Sequence, residues 1–395
     1  MRRKPPDYSH TRLVSLGSMA SKNPDSKTPV GAGQTSDESV WRALQGVIDP
    51  ELRRPLTELD MVDSVTVTDD HIQVTIALTI LGCPASDRIH RETLQAVKAV
   101  AGGRAVDVEL TVMDAKRRSR LIESLRGGRT SSHPFGPDTL TRILAITSGK
   151  GGVGKSSVTA NLAALAAQSG LRVGIIDADV FGFSQPALMG LEGEKPTRLD
   201  DMILPPIGHD VKVMSIGMFV EPGVPVSWRG PMLHRTITQF LSDVYFGDLD
   251  LLLLDLPPGT GDVAISVGQL LPHSDVVVVT TPQKSAADVA IRSGLVARQT
   301  GQRVVGVVET MSSGQLPDGT RLDLFGSGGG ESVAESLEVP LLGTIPLSVA
   351  LREGGDSGVP VVLSDPEDPA AIALGQTWEA IQQTRRPLQG VKLPV

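Results

Sequence analysis

The stretch SGKGGVGKSS, residues Ser148–Ser157, decides the fold of this chain. Residues 149–156 match the spacing G-x-x-x-x-G-K-S, with the apolar run ILAIT before them and the helical pattern KSSVTANLAALAAQSG after them. Glycines at these positions let backbone N–H groups turn towards phosphate oxygens at the start of a helix. The predicted nucleotide-binding residues are Gly149, Lys150, Gly151, Gly152, Val153, Gly154, Lys155, Ser156 and Ser157.

Short apolar runs recur through residues 139–385, which we expect to form one large domain. Helical patterns separate several of these runs, and runs that are apolar on both faces are typical of buried parallel strands. The pattern predicts an α/β fold with a doubly wound, mostly parallel sheet, in which ligands bind beyond the carboxyl ends of the strands. The runs are ILAIT, RVGIID, KVMSIG, LDLLLLD, DVVVVTT, RVVGVVE and PLLGTIP.

Acidic residues end two of the predicted strands. GIIDADVFG carries Asp177 and Asp179, and LLLLDLPPGTGD carries Asp255. We expect Lys155 to reach the terminal phosphates of ATP, while the Ser156 hydroxyl and Asp255, the latter through a water, hold Mg²⁺. Asp179 is the candidate that orients the attacking water, although a solvated aspartate at a strand end is the alternative. Together these groups predict ATP hydrolysis.

A second lysine, Lys150, stands five residues before Lys155, at the rim of the same loop. Phosphoryl transfer concentrates negative charge on the transferring oxygens, and a cation delivered from another chain accelerates it by ~10³–10⁵. Lys150 is therefore a candidate catalytic residue that crosses a two-fold interface and meets the partner's nucleotide. A loop lysine that points into solvent is the alternative.

The rest of the chain divides into four parts. Residues 1–36 are polar and rich in Ser, Pro and Gly, which predicts disorder. Residues 37–115 predict a small α/β domain: a helix capped by Ser36 or Asp37, a hairpin around Asp69 and Asp70, a second helix and a last strand. Residues 116–138 predict a basic linker that begins with a solvated helix end, and residues 386–395 form a short tail.

Composition excludes several classes of protein. A net charge of −8 and 3% aromatic residues argue against binding to nucleic acid. No apolar run approaches the roughly 18 residues of a membrane span, so no membrane partner is expected. The single cysteine, Cys83, allows no disulfide within the chain and suits a reducing, cytoplasmic setting.

The KGGVGKS loop resembles that of the deviant Walker A ATPases, which include MinD, ParA and the Mrp/ApbC iron–sulfur carriers. DADVFGFSQPALMG, WRGPMLHRTITQFL, DLPPGTGD, FGSGGGE and REGGDSGVPVV resemble segments of Mrp/ApbC in the same order. IDPELRRPLTELDMV and LGCP resemble the SufT-like iron–sulfur assembly domain. The resemblance implies an ATPase that dimerises through Lys150 and assembles clusters or delivers them to apoproteins, with assembly factors as further partners.

The chain also departs from that family. Phe183 stands where the family has a proline, and Thr310 stands at the place of its adenine-contacting asparagine. VVETMSSGQLPDGTRLDLFGSGGG lacks the C-x-x-C pair, so two chains cannot supply four thiolates to an iron–sulfur cluster. Cys83 is either a cluster or metal ligand or a buried structural thiol.

Three classes of function remain open. The first is an ATPase of iron–sulfur cluster assembly or transfer. The second is an ATP-driven dimer switch for another client, with cluster binding lost along with the cysteines. The third is a spatial-organising ATPase of the MinD or ParA type, which the short, proline-containing tail QTRRPLQGVKLPV disfavours.

Overall fold

The computed structural model of the protein describes residues 32–126, 133–180, 182–220, 230–315 and 321–384. Most of the predicted disordered segment and the tail at 386–395 lie outside these residues. Among the helices described, none has the length and apolarity needed to cross a membrane.

The small domain is a three-stranded sheet covered by helices. Strand β1 (Val62–Val67) pairs antiparallel with β2 (His71–Leu78), and the predicted hairpin around Asp69 and Asp70 is confirmed. Strand β3 (Ala105–Val112) pairs parallel with β2, as the helix between them requires. The helices are α1 (Ala32–Leu44), α2 (Ser86–Val100) and α3 (Ala115–Arg126).

Two boundaries differ from the sequence-based expectation. Helix α1 begins at Ala32, before the predicted cap at Ser36 or Asp37 and within the segment predicted to be disordered. The predicted basic linker begins as the complete helix α3, which buries Leu121 and Ile122. The positive charge of this segment suggested a solvated helix end and linker. In the structure, however, Arg117 is paired with two carboxylates of the same domain, at 3.1 Å from Asp60 and 2.5 Å from Asp63.

The large domain carries an eight-stranded sheet, and each of the seven apolar runs forms one of its strands. The strands are β4 (Arg142–Ser148), β5 (Val173–Asp177), β8 (Ile207–Gly208), β9 (Val211–Ser215), β10 (Leu251–Asp255), β11 (Asp275–Thr280), β12 (Arg303–Ser312) and β15 (Leu341–Pro346). Their order is β15-β12-β11-β4-β10-β5-β9-β8, and every pairing is parallel except β8 with β9.

Helices cover both faces of this sheet, which confirms the doubly wound architecture. They are α4 (Lys155–Gln168), α5 (Gln185–Leu188), α6 (Gly230–Ser242), α7 (Asp262–Leu270), α8 (Lys284–Gln299), α9 (Gly329–Ser336), α10 (Val349–Ser357), α11 (Val361–Ser364) and α12 (Pro369–Gln383). Successive residues of β10 enter different cores: Leu252 and Leu254 pack with α6–α9, whereas Leu251 and Leu253 pack with α4 and α12. The alternation follows from the two-residue repeat of a strand.

Two short hairpins complete the large domain. One consists of β6 (Thr197–Leu199) and β7 (Met202–Leu204), and the other of β13 (Gly314–Gln315) and β14 (Arg321–Leu322).

The two domains share one apolar core. Leu199, Met202 and Leu204 of the β6–β7 hairpin are buried among the core residues of the small domain. We call the contact between this hairpin and the small domain the domain seam. At its edge the Thr197 hydroxyl donates to a Glu51 carboxylate oxygen at 2.7 Å, and Arg126 of α3 pairs with Asp201 at 2.8 Å.

A buried charge lies beside the domain seam. Lys212 of β9 is 1% exposed, and its ammonium donates to the Tyr245 carbonyl at 3.2 Å. Burial lowers the pKa of Lys212 to about 7, and the charge of Arg53 lowers it further, while Asp49 and Glu51 of the small domain oppose the shift. The small domain therefore places charges of both signs beside this lysine.

Leu199→Ala should destabilise the unit that contains the shared core by about 2–5 kcal/mol, because it leaves a cavity between the two domains. The measurement is the free energy of unfolding in urea. Leu140→Ala is the control, since Leu140 is 92% exposed and its truncation should cost less than about 0.5 kcal/mol. Equal losses in the two variants would contradict the shared core.

Candidate functional site

The carboxyl ends of β4, β5 and β10 form the floor of the candidate site. Asp255 lies opposite Ile146 of β4 on one side and Asp177 of β5 on the other, so two carboxylates end neighbouring strands. The loop after β4 runs directly into α4, which begins at Lys155. The strands that carry the phosphate loop and the two acidic segments are therefore neighbours in the sheet.

The loop between β4 and α4 depends on glycine at several positions. Gly152 and Gly154 have φ of 75° and 77°, in the left-handed region that other residues rarely occupy. Gly149 is needed for a different reason: a Cβ there would lie 2.3 Å from the backbone nitrogen of Ala290 on α8. The glycine spacing thus closes the loop against the sheet and leaves its amides at the start of α4.

Lys155 is the cation at the centre of the site. It is 6% exposed, its ammonium contacts the Asp255 carboxylate directly, and it lies 3.8 Å from Asp179. The Ser156 hydroxyl is 3.2 Å away. Lys155 and Ser156, which were predicted to act on phosphate and metal, thus lie close together. The predicted carboxylates of Asp179 and Asp255 lie beside them.

Asp177 organises the loop that carries Asp179. Its carboxylate accepts hydrogen bonds of 3.1 Å from the backbone amides of Asp179, Ser184 and Gln185, and from the Ser215 hydroxyl. Burial, followed by the charge of Asp255, raises its pKa to about 7. Sequence reasoning placed Asp177 at this strand end but gave it no role. Its position two residues before Asp179 was the available signal, because a carboxylate at that spacing caps the turn.

Asp179 and Lys150 both line the cleft. Asp179 accepts a hydrogen bond from the Gly182 amide at 3.1 Å. Lys150 is exposed, and its carbonyl accepts from the Ser148 hydroxyl at 2.9 Å. Both line a cleft of about 730 Å³ together with Gly151, Gly152, Val153, Gly154, Lys155, Ser156, Ser157, Ser184 and Pro258. A volume of this size is within the range of small-molecule sites.

Thr310, which stands at the family's adenine-contacting position, is buried near the end of β12. It is 5% exposed and is absent from the residues that line the cleft. Its hydroxyl oxygen is 2.6 Å from the Val153 carbonyl and 3.1 Å from the Thr280 carbonyl, so it ties the phosphate loop to the end of β11.

The residues predicted to hold Mg²⁺ have suitable chemistry. A serine hydroxyl and a carboxylate are the hard oxygen donors that this ion prefers. Ser156 lines the cleft, and Asp255 is completely buried beneath it. Beside them the Gln185 side-chain oxygen is buried without a hydrogen-bond partner among the described residues. The serine and carboxylate oxygens therefore fit Mg²⁺ by their chemistry.

Cys83 belongs to the small domain and is distant in sequence from the residues that line this cleft. It is 4% exposed, and its sulfur lies 3.8 Å from a Glu51 carboxylate oxygen. Burial and the charge of Glu51 raise its pKa to about 11, which keeps the thiol protonated at neutral pH. Within the described part of the chain, no group of three or more His, Cys, Asp and Glu side chains is placed to hold a metal ion.

Two family models match the chain in consecutive segments. Residues 139–382 match the NUBPL iron-transfer P-loop NTPase family, and residues 37–110 match the iron–sulfur cluster assembly protein family. An iron–sulfur cluster carrier protein of Mycobacterium bovis is 55% identical over 90% of this chain and 95% of its own length. Its counterpart in Escherichia coli is 37% identical over 80% of this chain and 84% of its own length.

Solved structures give similar matches for the large domain. A nucleotide-binding protein of Archaeoglobus fulgidus in complex with ADP is 39% identical over 55% of this chain and 86% of that chain, with a TM-score of 0.49. The cell division ATPase MinD of Pyrococcus furiosus is 24% identical over 62% of this chain and 99% of that chain, with a TM-score of 0.47. With one family model across more than half of its length and a relative at 55% identity, the chain belongs to the NUBPL iron-transfer P-loop NTPase family.

Proposed function

We propose that this protein binds ATP with Mg²⁺, hydrolyses it slowly as a homodimer, and acts in iron–sulfur cluster assembly or in cluster transfer to apoproteins. The observation that carries the proposal is the contact of Lys155 with Asp255 beneath a glycine loop, with Asp179 close by. The names of the relatives, which are cluster carrier proteins, support the cluster part of the proposal.

Binding begins with an exchange of partners at Lys155. Its ammonium now neutralises Asp255, and a nucleotide brings phosphate oxygens that compete for the same cation. Ser156 and Asp255 would hold the metal ion. Mg²⁺, when bound, neutralises charge on the β- and γ-phosphate oxygens. A metal ion held there, by Asp255 through a water, would keep the buried carboxylate compensated when Lys155 turns to phosphate.

Hydrolysis needs a water in line with the γ-phosphate and a cation for the charge that develops there. Asp179 lies at the wall of the cleft, held by the Gly182 amide, and is the residue that orients the water. Lys150 is exposed at the rim, where a second chain can approach. In a homodimer each Lys150 stabilises the transition state at the partner's site.

A second candidate function is an ATP-driven dimer switch for another client. It is favoured by the state of Cys83, the only cysteine of the chain, which is buried, protonated and in contact with a carboxylate. A thiol ligates iron as the thiolate, so this one must leave Glu51 and lose its proton before it can hold a cluster. The two functions differ in whether a cluster is ever bound.

Lys155→Ala should weaken ATP binding by about 10–150-fold, since a charge-assisted contact with phosphate is worth about 1.5–3 kcal/mol. Isothermal titration calorimetry with Mg·ATP measures the change. Lys284→Ala is the matched control, because Lys284 lies at the start of α8 with its side chain 88% exposed. Parent-like affinity in Lys155→Ala would show that the nucleotide binds elsewhere.

Lys150→Ala should keep ATP binding within a few-fold and lower turnover by about 10³, because it removes a cation that acts only on the transition state. Phosphate release under saturating ATP measures turnover. Mixing Lys150→Ala with Asp179→Ala chains tests the dimer, since a mixed dimer has one site with both residues intact. Recovered activity supports action across the interface, and none after mixing would place Lys150 and Asp179 in the same chain's site.

Cys83→Ser should abolish cluster binding by the full chain after anaerobic reconstitution with iron, sulfide and glutathione. The measurement is iron and acid-labile sulfide per chain, with circular dichroism to confirm that both proteins are folded. Equal iron and sulfide in parent and variant would show that ligands other than Cys83 suffice. A parent that binds no cluster would favour the dimer switch over the carrier.

A further inference from the structure

Gln185 is the first residue of α5, and it is completely buried beneath the nucleotide cleft. Its neighbour Ser184 lines the cleft wall, so the turn of chain at this point passes directly under the phosphate loop. A fully buried glutamine is uncommon and has to place four hydrogen-bonding sites.

One amide group bridges the two residues that are predicted to hold the metal. The Gln185 Nε2 donates to the Asp255 Oδ2 at 2.7 Å and to the Ser156 carbonyl at 3.0 Å. Its backbone amide donates to Asp177 at 3.1 Å. Gln185 therefore fixes the spacing between β10, the first turn of α4 and the end of β5.

The orientation of this amide follows from its neighbours. Both partners of the nitrogen are acceptors, so the NH₂ group has to face them, and the Oε1 atom faces the other way. That oxygen is buried and has no hydrogen-bond partner among the described residues. An orphaned buried acceptor is costly, and it indicates a donor that the described residues do not supply.

The chemistry of Asp255 explains why an amide is suited to this place. Lys155 contacts Asp255 Oδ1, while Gln185 binds Oδ2. When Lys155 turns to phosphate, Gln185 remains as a neutral donor to the carboxylate. It orients Asp255 without neutralising its negative charge, whereas a lysine or arginine here would compete with a bound cation.

We propose that Gln185 is the positioning residue of the metal site: its NH₂ group holds the Asp255 carboxylate and the Ser156 carbonyl at a fixed spacing. The inference rests on the proposed function and adds to it how this chain tunes metal affinity separately from nucleotide affinity.

The test uses the full-length protein, with ADP as the nucleotide and Mn²⁺ as the probe of the metal site. Electron paramagnetic resonance measures Mn²⁺ affinity in the ADP complex, and calorimetry with EDTA measures ADP affinity without metal. Gln185→Leu should weaken Mn²⁺ binding by about 10–100-fold, the usual cost of losing an outer-shell partner. ADP affinity in EDTA should stay within a few-fold of the parent.

Gln302→Leu is the matched control. Gln302 is also buried, and its amide donates to the Ser274 hydroxyl at 2.7 Å, near the amino end of β11 and thus at the opposite edge of the sheet. It should leave both affinities at the parent value. Gln185→Met, unbranched like glutamine, is the second variant should Gln185→Leu fold poorly, and the same selective loss is expected.

Three outcomes would overturn the inference. Parent-like Mn²⁺ affinity in both Gln185 variants would show that the amide does not serve the metal. An equal loss of ADP affinity in EDTA would reduce Gln185 to a structural role. A parent that binds no ADP would overturn the proposed function together with this inference, whereas normal ADP binding with unchanged Mn²⁺ affinity would overturn the inference alone.

Discussion

The contact between Lys155 and Asp255 is the interaction on which the rest of the site depends. A lysine and an aspartate buried at 6% and 0% exposure are tolerable only together, because either charge alone would lack compensation in a medium of low polarity. The glycine loop positions Lys155, strand β10 positions Asp255, and the surrounding hydrogen bonds hold both side chains in place. In the proposed function phosphate replaces Asp255 as the partner of Lys155, so the stable pair is also the one that a nucleotide would rearrange.

Much of this arrangement was predictable from the sequence because its signals are local. The strands were predictable since buried parallel strands leave continuous apolar runs, and the phosphate loop since glycine spacing is a backbone requirement. The roles of Thr310 and Gln185 were not predictable from the sequence, because each depends on residues more than 25 positions away, such as Val153 and Asp255. Helix α3 was mistaken for a linker because its arginines find carboxylates only in the folded domain.

The missing C-x-x-C pair and the buried, protonated state of Cys83 both bear on whether this chain holds an iron–sulfur cluster. The relatives are named as cluster carriers, and the family of this chain is an iron-transfer family. The one thiol of the chain lies beside Glu51, and Glu51 also accepts the Thr197 hydroxyl of the large domain. The surroundings of the Cys83 thiol therefore depend on the position of the β6–β7 hairpin, which belongs to the nucleotide-binding domain.

The domain seam has a practical consequence for anyone who studies this protein in solution. Because Cys83 is unique, buried and protonated, a thiol reagent reacts with it only when Glu51 and its neighbours move away. The rate of labelling therefore reports how often Cys83 becomes exposed in the unmodified chain, with no engineered probe. Comparing that labelling rate with and without nucleotide measures whether nucleotide binding in the large domain changes the exposure of Cys83 in the small domain.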